Sequence, residues 1–539
     1  MSTPARCAVA LLAGVGLSAA FEPLAWRWAL LPALVGFFLL LRRQPVRRSI
    51  LIGTCFGAGF MFTHQVWMRA IGPDAYIAIS LLETSFFAVL GGCLAWTGRL
   101  RGWPLWWATL WVAVETWRTQ WPFGGMPWGR LSFAVMDTST SGWLPWIGTT
   151  GVSLLLALAA ASGAWLLSRA GSALAARRRH ARPIHEAPSA PLSASRPLRL
   201  PVLTLALAAA PLIAVFLPPG APASSVGDTV DLAAIQGEVP GDGTDVLLDH
   251  RRITRTLSEQ TIALAGQADR PDLVVWPENS TAIDPFANSD VHALITTAVD
   301  TIGVPVLVGT MVDGPTEGSV LNQGIVWEAE SGAGDRYTKR HPVPYGEFIP
   351  YREQLPFTAT FGQLRLIQRD MMSGTRIRPL EVQTASGSLR ISDAICFDVG
   401  YDEGGYAQLR QGVDLLVVQT SNAMFVHTAQ IRQQFEISRV RAAEAGKFLV
   451  VASMNGVSGI IGPDGAVLQQ APTLHTTILR ADVPRLYGVP PAARVGPALT
   501  WVSLGLALVG LLLGATTYRR RQPDPQLRTV EPSRKVGAR

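Results

Sequence analysis

The stretch ISDAICFDVG, residues 391–400, begins as an apolar strand and ends in a cysteine that is followed by an acid. Cys396 is the last of four cysteines, and the other three, Cys7, Cys55 and Cys93, lie in long apolar runs. In such runs a thiol is usually just a small apolar side chain. Outside them Cys396 has no disulfide partner, so it is either a packed small residue or a thiol that is used.

The rest of the chain is too apolar for an ordinary soluble protein, with 48% hydrophobic and 16% charged residues among 539. A membrane-spanning helix needs about 20 mostly apolar residues. Eight segments approach this requirement, at 8–21, 24–41, 50–71, 76–97, 103–120, 149–167, 201–217 and 498–518. We therefore predict a polytopic α-helical membrane domain of about eight spans.

The arginines predict an orientation for these spans. With eight crossings, the arginine-rich loops 42–48, 99–101 and 177–179 and the residues after 518 all fall on one side, which is then cytoplasmic. The long segment before the last span would face outward, so we expect a multi-pass protein of the bacterial cell membrane with an extracytoplasmic domain. Loop arginines also account for much of the net charge of +7, and no nucleic-acid partner is expected.

The predicted domain order follows from these segments. A membrane domain covers 1–218 and contains a flexible cytoplasmic linker, rich in Ala, Arg, Pro and Ser, at 171–199. Short strands alternate with amphipathic segments over 229–485, which indicates a layered α/β domain with helix-covered sheets. The last span is 498–518 and a cytoplasmic tail is 519–539.

Reactive side chains follow three strands or loops of the α/β region. VVWPENS (274–280) places Glu278 after a buried strand, and RYTKRHPVPYGEFIP (336–350) holds Lys339 and Glu347. A carboxylate, an ammonium and the thiol of Cys396 could act as base, oxyanion partner and nucleophile in acyl transfer. Each has a plainer interpretation: a loop or capping acid, a surface cation, and a packed small side chain.

These motifs, in this order, resemble the carbon-nitrogen hydrolase (nitrilase) superfamily with its Glu-Lys-Cys triad. The membrane half before the domain, the single span after it and the segment ETWRTQWPFGGMPWGRLSF (115–133) make the chain similar to the apolipoprotein N-acyltransferase family. The resemblance implies an αββα sandwich inserted before the last span. It implies Glu278 as general base, Lys339 as oxyanion partner and Cys396 as nucleophile. The supporting residues it implies are Glu347, Phe397 through its backbone N–H, and Asp398.

Two features of the sequence limit or extend the resemblance. Met424 and Val426 replace a tryptophan and a glycine that many family members have, which puts details of substrate docking in doubt. Glu115 and Arg118 are three residues apart on a predicted span, close enough to form an ion pair. The simpler interpretation is a structural ion pair. The more specific one is that the two side chains line a path by which lipid headgroups enter.

The resemblance implies an enzyme that takes an acyl chain from a membrane phospholipid onto Cys396 and passes it to the α-amino group of a diacylglyceryl-modified apolipoprotein. A membrane-tethered amidase and an inert lipoprotein-binding scaffold are the alternatives. No cofactor is expected, and scattered histidines without ligand spacing predict no metal site. A monomer is expected. The segment 351–380 suits either a mobile flap that touches headgroups or a plain surface excursion.

Overall fold

The computed structural model describes residues 1–180, 202–239, 249–354 and 362–519. Within these residues the first half of the chain is helical. Its helices are α1 (Thr3–Ala19), α2 (Leu30–Leu41), α3 (Val46–His64), α4 (Pro73–Thr97), α5 (Trp103–Arg118), α6 (Leu144–His180) and α7 (Val202–Ala214). All seven segments predicted as spans in this half therefore contain a helix.

Length and composition make only some of these helices candidates for a complete membrane crossing. Among the described residues, the helical segments Pro73–Thr97, Ser139–Ala175 and Ala492–Thr517 are long and apolar enough. Thr3–Ala19, Arg27–Leu41 and Thr204–Ala214 are shorter apolar helices. The protein thus carries membrane-spanning candidates in both parts of the chain, while the number of eight crossings stays a prediction.

Helices α1 and α3 approach each other closely at small residues. A Cβ on Gly14 would lie 2.1 Å from the carbonyl oxygen of Phe56, and one on Gly59 would lie 2.1 Å from that of Leu11. Only glycine permits such backbone contact, which is a common way for helices to associate in membranes. The helical half is therefore a packed bundle.

The α/β region folds into two sheets. The strands of the first are β1 (Ser225–Gln236), β2 (Leu273–Val275), β3 (Val306–Asp313), β4 (Ser319–Glu328), β5 (Gly332–Thr338), β6 (Asp370–Met371) and β13 (Thr477–Tyr487). Its order is β13-β1-β2-β3-β4-β5, with β6 paired to β4. The strands of the second are β7 (Leu380–Thr384), β8 (Gly387–Ile395), β9 (Leu415–Thr420), β10 (Leu449–Ser453), β11 (Gly459–Ile461) and β12 (Val467–Gln470), in the order β12-β11-β10-β9-β8-β7.

Each sheet has a parallel centre, formed by β1-β2-β3 in the first and β8-β9-β10 in the second. Parallel strands end at the same edge, so the residues after β2, β8 and β9 can meet. An apolar layer that includes Leu232, Val275, Val417 and Val450 fills the space between the sheets. Glu278 and Cys396 therefore follow strands of the two parallel centres, while Lys339 follows the edge strand β5.

Helices cover both outer faces of the sheets. Helices α8 (His250–Ala265) and α9 (Ser289–Ile302) pack on the first sheet through residues such as Leu257 and Ile295. Helices α10 (Glu403–Leu409) and α11 (Ala429–Ala445) cover the second. The described residues thus form a nitrilase-like sandwich of helix, sheet, sheet and helix, followed by α12 (Ala492–Arg519).

The second helical layer also packs on the membrane half. Val440 of α11 and Val418 of β9 belong to one apolar cluster with Phe133 and Leu144, which precede or begin α6. The two halves therefore share a continuous core on this side.

Several predicted boundaries differ from the structure. The expected flexible linker begins inside α6, which runs to His180. Its first residues are helical because Ala, Leu and Arg, which dominate 173–179, are strong helix formers. Strand β1 begins at Ser225 and β13 ends at Tyr487, slightly outside the predicted domain of 229–485. The rest of the predicted linker, residues 181–199, and the tail after residue 519 lie outside the described residues, so neither prediction is tested there.

Candidate active site

Glu278 lies three residues after β2 and is almost completely buried, with 3% of its surface exposed. Its Oε1 accepts hydrogen bonds from Asn322 Nδ2 at 2.8 Å and from Lys339 Nζ at 3.1 Å. Its Oε2 accepts from the backbone N–H of Ser421 at 2.9 Å. These three donors fix the position of the carboxylate, which a general base requires.

Lys339 directly follows β5 and is fully buried. Its ammonium donates to Glu278 Oε1 and to Glu347 Oε1, the latter at 2.6 Å. Burial would lower the pKa of Lys339, but the charges of Glu278 and Glu347 outweigh it and hold that pKa well above its usual value. The site therefore keeps a fixed positive charge at neutral pH.

Glu347 is held by the loop that follows Lys339. Its Oε2 accepts from the backbone N–H of Val343 at 2.8 Å, and its backbone carbonyl accepts from the N–H of Met371 at 2.9 Å. Burial raises the pKa of Glu347, and the Lys339 ammonium opposes this. The contact with Met371 also shows that the described end of the 351–380 segment packs on the loop; residues 355–361 lie outside the description.

Cys396 begins a 3-10 turn, Cys396–Gly400, that directly follows β8. Its φ of 52° lies in the left-handed region, which a cysteine rarely adopts. Burial raises the pKa of its thiol to about 12, with Glu278 adding to the rise and Lys339 opposing it. Lys339 therefore favours the thiolate, but its effect is smaller than that of burial. A protonated thiol at neutral pH needs a base before it can attack a carbonyl.

Phe397 and Asp398 follow Cys396 on the same turn. The N–H groups at the start of a helix have no acceptor within it, so that of Phe397 is suited to an oxyanion. Asp398 Oδ1 accepts from His341 N at 2.8 Å and from His341 Nδ1 at 2.9 Å, while Oδ2 accepts from Tyr337 Oη at 3.0 Å. Asp398 therefore joins the Cys396 turn to the loop after Lys339.

Two site residues escaped the sequence analysis. Asn322 of β4 donates to Glu278 and carries little local signal, because it is one polar residue in a strand. Ser421 contributes only its backbone N–H. The run TSN at 420–422 was a usable signal, since it follows β9 at the sheet edge where Cys396 follows the parallel neighbour β8.

The predicted pair between Glu115 and Arg118 is wrong. Arg118 instead donates to Glu83 Oε2 at 3.1 Å and to the carbonyl of Trp128 at 2.6 Å. Glu115 accepts from the backbone N–H of Leu131 at 3.1 Å and contacts Arg130 at 3.5 Å. Both side chains turn toward the segment 126–131, whose backbone groups and arginine satisfy them better than the helical neighbour does.

No group of three or more His, Cys, Asp or Glu residues with the geometry for a metal ion occurs in the described residues. The arrangement around Cys396 combines a buried base, a buried cation and a thiol on a strained turn. These groups can carry out covalent acyl transfer by themselves.

Two family models match this chain. The apolipoprotein N-acyltransferase N-terminal domain matches residues 13–162, and the carbon-nitrogen hydrolase domain matches residues 233–488. An apolipoprotein N-acyltransferase of Mycolicibacterium smegmatis is 31% identical over 542 residues, which cover 97% of this chain and 88% of that protein. The chain belongs to the apolipoprotein N-acyltransferase family. The resemblance noted in the sequence is thereby confirmed.

Other apolipoprotein N-acyltransferases are similar over nearly the whole chain. Relatives from Photobacterium profundum and Ralstonia nicotianae are 27% and 29% identical and cover 96% and 95% of this chain. Among solved structures, an amidase from Nesterenkonia sp. is 14% identical with a TM-score of 0.35, covering 51% of this chain and 95% of that one.

Proposed function

We propose that this protein is an N-acyltransferase that moves a fatty acyl chain from a membrane phospholipid, through a thioester on Cys396, to the α-amino group of the N-terminal diacylglyceryl-cysteine of apolipoproteins. The observation that carries the proposal is the buried group of Glu278, Lys339 and Glu347 at the sheet edge where Cys396 sits on its strained turn. Family membership supports the same reaction.

In the first step Glu278 takes the thiol proton while Sγ bonds to the ester carbonyl carbon of the phospholipid. The negative charge on the carbonyl oxygen is stabilised by the Lys339 ammonium and the Phe397 N–H. When the intermediate collapses, the ester C–O bond breaks and the lysophospholipid oxygen takes the proton back from Glu278. This leaves an acyl thioester on Cys396.

In the second step the α-amino nitrogen of the acceptor attacks the thioester carbonyl. Glu278 takes a proton from the amine and returns it to the departing sulfur, so the thiol is restored and an amide is formed. Glu347 keeps the Lys339 ammonium in place through its 2.6 Å contact in both steps. The burial of Glu278 and Lys339 limits the access of water, which would otherwise hydrolyse the thioester.

Exposed aromatic side chains support a lipid donor. The Phe123 ring of the membrane half lies 5.6 Å from Tyr345 and 5.7 Å from Tyr351, measured between centroids. Tyr345 is two residues from Glu347, and Tyr351 is 60% exposed. Aromatic residues of this kind favour the membrane interface, so they would receive an acyl chain that arrives from the bilayer.

The arginine-rich loops support an extracytoplasmic site. Arg42 Nη1 donates to the Gly98 carbonyl at 3.0 Å, which brings the loops after α2 and α4 together at one end of the bundle. The opposite end contacts the sandwich, where Gln433 of α11 donates to the carbonyl of His64 at the end of α3. If the arginines are cytoplasmic, the catalytic site faces outward. One chain contains every proposed catalytic group, so a monomer suffices.

The test is mass spectrometry of the purified full chain in detergent after incubation with phospholipid but no acceptor. We expect a hydroxylamine-sensitive mass increase of one acyl chain on Cys396, absent in Cys396→Ala and present in Cys93→Ala. Failure to form this adduct would refute the transferase mechanism. If the adduct decays equally fast with and without a diacylglyceryl lipopeptide, the protein is an amidase. If it binds lipopeptide without any adduct, it is a scaffold.

A further inference from the structure

The turn that carries Cys396 is held by residues outside its own sandwich. Cys396 occupies an unfavourable backbone conformation, which persists only when the surrounding structure fixes it. Residues 127–130 of the membrane half, PWGR, lie against this turn. They belong to the motif at 115–133, and none of these four residues takes part in the proposed reaction.

Two apolar contacts connect PWGR to the turn. The Trp128 ring stacks on Phe397, with centroids 5.2 Å apart and an interplanar angle of 13°. At the other end of the turn, a Cβ on Gly400 would lie 2.6 Å from Pro127 Cγ. The membrane half therefore packs on both the residue after the nucleophile and the last residue of the turn.

Arg441 of α11 binds the backbone of the turn directly. Its Nε donates to the Val399 carbonyl at 2.8 Å, and its Nη2 donates to the Gly400 carbonyl at 3.0 Å. Carbonyl groups at the end of a helical turn lack partners within it, and a cation satisfies them well. The Arg441 side chain is only 12% exposed, so these bonds are shielded from solvent.

An ion-pair chain joins Arg441 to the membrane half. Asp402 Oδ1 lies 2.8 Å from Arg441 Nη2 and 2.6 Å from Arg130 Nη1. Arg130 in turn lies 3.5 Å from Glu115 Oε1 and donates through Nη2 to Thr150 at 3.1 Å. Planar guanidinium groups hold such contacts in a defined geometry. The chain runs from α5 through Arg130 and Asp402 to the carbonyls of the Cys396 turn.

We propose that Arg130 of the membrane half is a positioning residue that acts through Asp402 and Arg441 to hold the Cys396 turn in its reactive conformation. This inference rests on the proposed role of Cys396 as the nucleophile. It gives the PWGR segment a function in the chemistry of the sandwich: Pro127 and Trp128 fix the turn by packing, and Arg130 fixes it through charge.

A second ion pair between α11 and the membrane half supplies a matched control. Arg439 Nη2 lies 2.6 Å from Asp137 Oδ1, and Arg439 Nε donates to the Gly465 carbonyl at 2.9 Å. This pair bridges the same two parts of the chain, but within the described residues it makes no hydrogen bond or ion pair with the Cys396 turn. If Arg130 only connected the two parts of the chain, the Arg130 and Arg439 variants would affect the reactivity of Cys396 equally.

The test measures the reactivity of Cys396 in the full-length chain, in detergent, with the other cysteines removed (C7A/C55A/C93A). The rate of iodoacetamide alkylation is followed against pH in R130Q, D402N, R439Q and D137N, together with acyl transfer and apparent Tm. Alkylation needs no acyl donor, so its result is independent of whether the proposed transfer is correct.

We expect R130Q and D402N to change the alkylation rate and its pH profile, and to lower kcat about 10- to 100-fold with little change in KM. R439Q and D137N should keep the wild-type alkylation profile. R130K retains a positive charge near Asp402 but lacks the planar guanidinium group. Its alkylation rate and its kcat should therefore lie between those of R130Q and the wild type. It also serves if R130Q does not fold.

Two results would overturn the inference. One is an unchanged alkylation profile in both R130Q and R130K. The other is a loss of kcat that follows the loss of apparent Tm along one line for the Arg130 and Arg439 variants together.

Discussion

Removing the positive charge of Lys339 should damage both stability and catalysis. In Lys339→Met the carboxylates of Glu278 and Glu347 lose the ammonium that contacts both, at 3.1 and 2.6 Å. Lys339 is 0% and Glu278 3% exposed, so water cannot replace that contact, while Glu347 is 21% exposed and is only partly hydrated. Breaking a buried pair from one side costs about 3–5 kcal/mol. For a domain of this size, this corresponds to a fall in apparent Tm of roughly 6–20 °C.

The loss should depend on pH with a defined sign. Without the ammonium, burial and the charge of Glu278 raise the pKa of Glu347 unopposed, above the unfolded value of about 4.3. A group whose pKa is raised by folding stabilises the protein below its unfolded pKa and loses that contribution as the pH rises. The variant should therefore be most destabilised near neutral pH and should recover stability as the pH falls toward about 4.

The assay is apparent Tm in detergent, followed by tryptophan fluorescence across this pH range, beside the thioester assay. Lys447→Met is the matched control, because Lys447 is also buried and its Nζ has no hydrogen-bond acceptor among the described residues. Lys447→Met should not lower apparent Tm. The double variant Lys339→Met/Glu347→Gln should regain stability but form no thioester. If Lys339→Met keeps wild-type stability at neutral pH, or if the double variant forms thioester, the assigned role of Lys339 is refuted.

Three further predictions concern the neighbouring residues. Asp398→Asn should lower apparent Tm near neutral pH, because burial raises the pKa of Asp398 but contacts with His341 outweigh this and hold that pKa below its usual value. The difference from the wild type should shrink only as the pH falls below about 4 toward the lowered pKa, and a difference that stays constant as the pH falls further would contradict this. Gly309→Ala should lower the rate of acyl transfer by about 100-fold, because the new Cβ would lie 2.1 Å from the Pro277 carbonyl oxygen and 2.7 Å from Glu278 Cα and would displace Glu278. Gly334→Ala is the control: its new Cβ would have its nearest contact at 3.4 Å, so transfer should keep the wild-type rate. Burial raises the pKa of the Cys396 thiol to about 12, so the difference in ultraviolet absorbance between the wild type and Cys396→Ser should show no thiolate near about pH 8. A thiolate signal at that pH would show that Glu278 is not needed as a base.

The sequence predicted the class of fold because its apolar runs have distinct lengths. Long runs such as 76–97 became helices, while short runs such as 272–276 became central strands. The sequence of strand β5, GAGDRYT, does not predict a strand, because it holds two glycines and two charged residues. This strand is specified by its pairing with β4. Tertiary pairing of this kind is not visible in a local pattern.

In the candidate site, too, some features follow from local sequence and others from tertiary contacts. Glu278, Lys339 and Cys396 could be proposed from motifs because their chemistry requires particular side chains. The partners of Glu115 and Arg118 could not, since helical spacing shows only which side chains are near each other along the helix. Their actual partners on segment 126–131 and at Glu83 depend on how the chain returns after α5.

The pairing of β1 with β13 has a consequence for how the protein is made. These antiparallel partners, matched from Ser225 with Tyr487 to Gln236 with Thr477, are separated by almost the entire sandwich. The first sheet thus cannot gain its edge strand β13 until the whole domain has been synthesised and, on the proposed topology, exported. Since contacts between distant segments form slowly, we expect assembly to finish only after α12 has emerged from the ribosome. Chains truncated before β13 should leave an open sheet edge and become substrates for proteolysis at the membrane.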